Sequence, residues 1–115
     1  MVRIESALPS PRIVNGTIMW YAGDQLELAF KLCLSDADGE EVILTEGDTA
    51  EVEIKNDKKE AVKKFTFKGA ADNMLSLGFD AETTALFKPG QYFYDIRLSG
   101  TYNTTIAKDN PIRVE

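Results

Sequence analysis

The chain has 115 residues, 13 basic against 19 acidic side chains, one cysteine, no histidine and a net charge of −6. That is one domain's worth of chain, able to bury roughly two-thirds of its unfolded surface in a single core. The acidic balance repels a phosphate backbone, and no apolar run approaches the roughly 20 residues of a membrane-spanning helix, so neither nucleic acid nor membrane is expected as a partner.

A lone cysteine cannot close an intrachain disulfide, which suits synthesis in a reducing cytosol. The first six residues lack the apolar core of a signal peptide. The expectation is a complete small protein or a cleanly cut domain.

Residues 1–15 read as an extended arm, because Pro9 and Pro11 favour a polyproline-like path and withhold two ladder donors. Asn15-Gly16 signals a turn, and Thr17 to Tyr21 is apolar and β-prone. From Gln25 to Leu34 the alternation is clean, with Leu26, Leu28, Phe30, Leu32 and Leu34 on one face. Asp36 to Glu40 is a tight turn around Gly39, and Val42-Ile43-Leu44 reads as a short strand.

Ala50, Val52 and Ile54 alternate with Glu51, Glu53 and Lys55. After a loop over residues 56–60 the chain returns through Phe65 and Phe67. Residues 69–73 form another turn, and Leu75, Leu77 and Phe79 alternate again. Asp80 is placed to cap a short helical turn ending near Phe87, which Pro89 stops.

On the strand from Gln91 to Leu98, Tyr92, Tyr94, Ile96 and Leu98 share a face. The last strand, from Tyr102 to Val114, is interrupted near Asp109-Asn110-Pro111. Short strands of this kind, with turn signals about every 8–12 residues, each have one greasy face to cover. The fold expected is an all-β, immunoglobulin-like antiparallel β-sandwich of seven to eight strands over residues 16–115, with one helical turn near residues 81–87.

Chemistry is harder to find than architecture. Without histidine there is no Ser-His or Cys-His pair, and the usual zinc sites cannot be assembled. Cys33 falls on the outward side of its strand, with only Lys31 nearby in sequence. Asp36-Ala37-Asp38-Gly39 invites a calcium reading, but Leu34 stands where such a loop needs its first acid, and an Asp-Gly turn accounts for every residue.

Lys55, Lys58, Lys59, Lys63, Lys64 and Lys68 cluster after residues 36–53, which carry eight acids and no base. A solvated edge neutralised across strands, with Glu53 opposite Lys64, explains them better than an anion site. Asp24, Asp48 and Asp95 lie near turns or outward faces, so no enzyme, metal or cofactor is expected. The aromatic residues Trp20, Tyr21, Phe93 and Tyr102 are the candidate interaction surface, with Phe93 the most suggestive because it opposes Tyr92 and Tyr94 in parity. The same rings would serve the alternative, a carbohydrate-binding or cell-surface adhesion sandwich.

Four segments in order carry a resemblance: Tyr21-Ala22-Gly23-Asp24, Asp36-Ala37-Asp38-Gly39, residues 47–55 and residues 84–96. Together they resemble the immunoglobulin-like domain found in tail and baseplate proteins of bacteriophages and prophages, over about residues 17–115. The resemblance implies a structural or assembly role in the virion, synthesis in the host cytoplasm, and partners among other phage structural proteins, including copies of itself. It carries over no catalytic residues.

Overall fold

The computed structural model describes residues 2–5, 12–14, 17–69 and 73–115. Nine strands and one short helix follow in order: β1 (Val2–Glu5), β2 (Arg12–Val14), β3 (Thr17–Trp20), β4 (Leu26–Leu32), β5 (Thr49–Lys55), β6 (Ala61–Lys68), β7 (Met74–Phe79), α1 (Ala81–Thr84), β8 (Gly90–Ser99) and β9 (Thr104–Val114). They form a three-stranded sheet, β1-β4-β7, and a six-stranded sheet, β2-β3-β9-β8-β5-β6. The strands from β3 onward make the expected sandwich. The segment read as an arm supplies β1 to the edge of one sheet and β2 to the edge of the other. Pro9, Pro11, Asn15 and Gly16 lie outside the described residues.

The topology is immunoglobulin-like. β1, β4 and β7 take the places of strands A, B and E, and β5, β8 and β9 those of C, F and G. Pairing is antiparallel except where β3 runs parallel to β9. Tyr92, at the start of β8, donates its hydroxyl to the carbonyl of Lys88 at 2.9 Å, the tyrosine corner that pins this crossing in such sandwiches.

Period-2 alternation builds the core. Leu26, Leu28, Phe30 and Leu32 of β4 and Leu75, Leu77 and Phe79 of β7 face Val52, Ile54, Tyr94, Ile96 and Leu98 across the two sheets, all buried. Phe30 and Tyr94 meet with ring centroids 5.0 Å apart. At one end the core is closed by rings: Trp20 lies edge-on to Phe79 and Phe87, and Phe87 meets Tyr92 at 5.2 Å. Asp80 caps α1 by accepting from the Thr83 N–H at 2.8 Å. β6 and β7 are the outer strands of one flank, in contact through Phe65 and Phe79.

Val42-Ile43-Leu44 forms no strand; among the described residues the only pairing nearby is a single bridge between Ser35 and Glu41. The segment finds its partner in a side chain. Fully buried Asn73 donates from Nδ2 to the Val42 carbonyl at 2.7 Å and accepts the Leu44 N–H on Oδ1 at 2.8 Å. One carboxamide thus does for this stretch what a neighbouring peptide does in a sheet.

Candidate functional site: the loop end of the sandwich

Opposite the aromatic end, residues 33–48 between β4 and β5 and residues 100–103 between β8 and β9 meet Gly69 and Asn73, which follow β6 and precede β7. In variable immunoglobulin domains the B–C and F–G loops of the corresponding end form the binding surface. Here they are stitched together by Asp48, which is 3% exposed. Its Oδ2 accepts from the Thr45 N–H and hydroxyl at 2.9 and 3.1 Å, and its Oδ1 accepts from the Thr101 N–H at 3.0 Å. Its own carbonyl accepts from the Gly69 N–H at 3.0 Å. The backbone donor at Thr45 is the leading reason the Asp48 carboxyl is held below the ordinary aspartate range, outweighing its desolvation.

Gly100 has to be glycine at this junction. Its φ is +110°, and a side chain there would strike the Gly47 carbonyl. With Asp48 and Asn73 satisfying the backbone groups internally, the loop end is preorganised.

Between these loops lies an open groove of about 290 Å³, lined by aliphatic Leu34, Val42, Leu98 and Ile106 together with Cys33, Ser35, Thr104 and the Tyr102 ring. Tyr102 is 40% exposed and the adjacent Ile43 50% exposed. The 36–41 hairpin projects from its wall through the Ser35–Glu41 bridge, with every residue exposed. The Asp36 carboxylate holds that turn by accepting from the Asp38 and Glu40 N–H groups at 2.9 and 3.0 Å, so the Asp-Gly turn is what this acidic run forms.

The four rings proposed from the sequence do not converge. Trp20 is a core residue at 2% exposure, because Ile18 and Trp20 point inward together where β3 runs beside Ile112 and Val114. Its indole N–H has no hydrogen-bond acceptor among the described residues. Phe93 lies on the outer face of the six-stranded sheet, but the Lys59 ammonium covers it at 3.4 Å from the ring centroid. The cover for this ring therefore comes from its own chain. Tyr21 is 53% exposed at the aromatic end, remote from Tyr102 on a molecule 42 Å long. Only Tyr102 stands at the groove.

The outer face of the six-stranded sheet holds the other concentration of charge. Lys55, read from sequence as part of a solvated edge, is 5% exposed. Its ammonium lies 2.8 Å from Asp95 and 2.6 Å from Asp109. Burial pulls Lys55 down, but hydrogen bonds to Asp109 and Asp95 outweigh it and hold Lys55 above the usual lysine range. Burial pushes Asp95 up, and the Asp109 N–H with Lys55 and Lys108 brings it below the usual range. Asp109 is drawn down chiefly by Lys55.

A bulge in β9 creates this site, with Asp109 at φ +51° donating its N–H to Asp95 at 2.7 Å. Glu53 and Lys64 are cross-strand partners as expected, 3.8 Å apart and solvent-exposed enough to contribute little. Asp48 and Asn73, read as turn residues, and Lys55, read as a solvated-edge residue, are buried polar groups whose burial the sequence did not signal.

Compared with protein-family models, curated proteins and solved structures, the chain matches none.

Proposed function

We propose that this chain is a non-catalytic structural module of a bacteriophage or prophage particle, of tail or baseplate type, working through protein–protein contacts made by its loop end. The observation that carries this reading is the preorganised loop platform, with Tyr102 exposed at a groove and Ile43, next in sequence to the groove residue Val42, also exposed. Apolar side chains held out on stitched loops lose little entropy on docking. The charged clusters support a non-catalytic role: Asp48 is engaged by backbone donors, and Lys55, Asp95 and Asp109 neutralise one another. The particle assignment rests on the four segments that resemble phage tail and baseplate domains.

Its partners are then other particle proteins and further copies of itself, its place the virion, and its site of synthesis the host cytoplasm. The glycan-binding alternative loses Trp20 to the core and Phe93 to Lys59, and its two remaining rings lie at opposite ends.

The test is co-expression with the products of adjacent genes, followed by light scattering of the purified full-length chain alone and in mixture. Co-assembly supports the reading; a strictly monomeric protein that binds none of them overturns it. Deleting residues 1–15 is not a clean variant, since it removes β1 and β2 from the two sheets.

A further inference from the structure

Docking at the loop end leaves open what the partner must bring. We infer that the groove takes an extended segment of a partner protein in which large apolar side chains alternate with lysine or arginine; this rests on the docking role above.

Three features of one place converge. The groove floor is aliphatic, from Leu34, Val42, Leu98 and Ile106, and needs an apolar side chain to exclude water from it. The neighbourhood is acidic: Glu41 lines a depression that shares Leu34 and Ser35 with the groove, and the hairpin it closes carries Asp38 and Glu40, all three exposed and without an ion pair among the described residues. The one base in the adjoining depression is Lys31. A basic segment matches those acids, whereas an acidic segment or a phosphate backbone is repelled by them.

The third feature is a sheet edge. β3 meets β9 only at Ile112, Arg113 and Val114, so among the described residues β9 has no strand partner along this edge from Thr104 to Asn110. Thr104 and Ile106 of that stretch also line the groove. An extended chain laid there forms backbone hydrogen bonds to β9 while alternate side chains enter the groove, and the part of it that passes the 36–41 hairpin meets the acids.

Among the described residues, Val2-Arg3-Ile4 alternates in this way but is paired with β4. The lysine-bearing turn, Asn56 to Glu60, offers no large apolar side chain, and Lys59 is committed to Phe93 and Asp109. Two loop ends brought together would set like charges face to face.

The experiment is a titration of the isotope-labelled full chain, followed by amide NMR, with three synthetic peptides of equal length: alternating Lys-Leu, Glu-Leu and Lys-Ser. The Lys-Leu peptide is expected to shift the amides of Leu34, Val42, Tyr102, Thr104 and Ile106. The other two are expected to bind about tenfold more weakly or worse. The surface variants D38N/E40Q/E41Q and I43S/Y102S are each expected to weaken Lys-Leu binding by about tenfold while retaining the dispersed spectrum of the folded chain.

Equal binding of Glu-Leu or Lys-Ser, shifts mapping elsewhere, unchanged affinity in either variant, or no binding overturns the inference. Co-assembly with a particle protein that survives I43S/Y102S unchanged removes the groove and leaves a particle role exerted through another surface. Absence of co-assembly in the parent chain removes the docking role itself.

Discussion

The Asp36–Glu40 turn at the loop end and the Asn56–Glu60 turn towards the aromatic end share one backbone plan. In each, the first residue's side-chain oxygen accepts from the N–H groups two and four positions on, at 2.9 to 3.0 Å. In each, the fourth residue has positive φ: Gly39 at +81° and Lys59 at +66°. They differ in what becomes of that fourth residue. Gly39 presents nothing, and its turn stays bare and acidic. Lys59 accepts a strained backbone, and its side chain folds over Phe93 and reaches Asp109 at 3.4 Å. One turn is left open to a partner; the other is closed onto its own sheet.

The same division runs through the two ends as wholes. Rings seal one, while hydrogen bonds from Asp48 and Asn73 hold the other. An end held by polar stitching needs no apolar lid, and that is what leaves a groove there.

The contrast is broken most severely at the sealed end. Phe87→Ala removes the ring shared by Trp20, Phe79 and Tyr92, and is expected to cost about 3–5 kcal/mol in urea unfolding. Next comes Asn73→Ala, which orphans the Val42 carbonyl and the Leu44 N–H and is expected to cost about 2–4 kcal/mol. Hydrogen exchange separates the two variants: Asn73→Ala exposes the Leu44 amide selectively, whereas Phe87→Ala lowers protection throughout the core.

The turns give a smaller effect. Gly39→Ala forces a side chain into left-handed backbone and is expected to cost about 1–2 kcal/mol. Lys59→Gly trades relief of that strain against its ring and ion-pair contacts, so its net change is expected within about 0.5 kcal/mol by the same measurement.

Smallest of all is the response to pH between about 5 and 9, where the chain has no histidine to titrate. Asp48, Asp80, Asp95 and Asp109 are lowered from 3.8 in the folded state, so their stabilisation is present above that value and lost as pH falls through the folded ones. Lys55 is raised from 10.5, so its contribution is complete below that value and lost as pH rises through the folded one. Urea midpoints should therefore be level across the neutral range and fall on both sides of it.

The sequence made the sandwich legible wherever one face contrasts with the other. Leu26 to Leu32, Ala50 to Ile54, Leu75 to Phe79 and Tyr92 to Leu98 all bury the face that alternation assigns them. It failed where contrast was missing or where the partner was remote. Thr17 to Tyr21 is apolar on both faces, so nothing local distinguished buried Trp20 from exposed Tyr21. Val42 to Leu44 looks like a strand because it is apolar, but its partner is a side chain about thirty positions away.

Lys55 has the outward parity it was given, and is buried by acids that a bulge in β9 brings to it. Of the groove, Tyr102 is the residue that the sequence singles out. The stitching by Asp48 is not legible there, because a buried aspartate and one in an exposed turn look alike until the loops they join are known.

β7 ends its sheet with six residues, Met74-Leu75-Ser76-Leu77-Gly78-Phe79, that carry no charge. β6, beside it on the same flank, carries Lys63, Lys64 and Lys68. A stray strand seeking to extend the shorter sheet must approach past those ammonium groups and lose their hydration to settle. Even at high concentration this flank would thus stay unzipped.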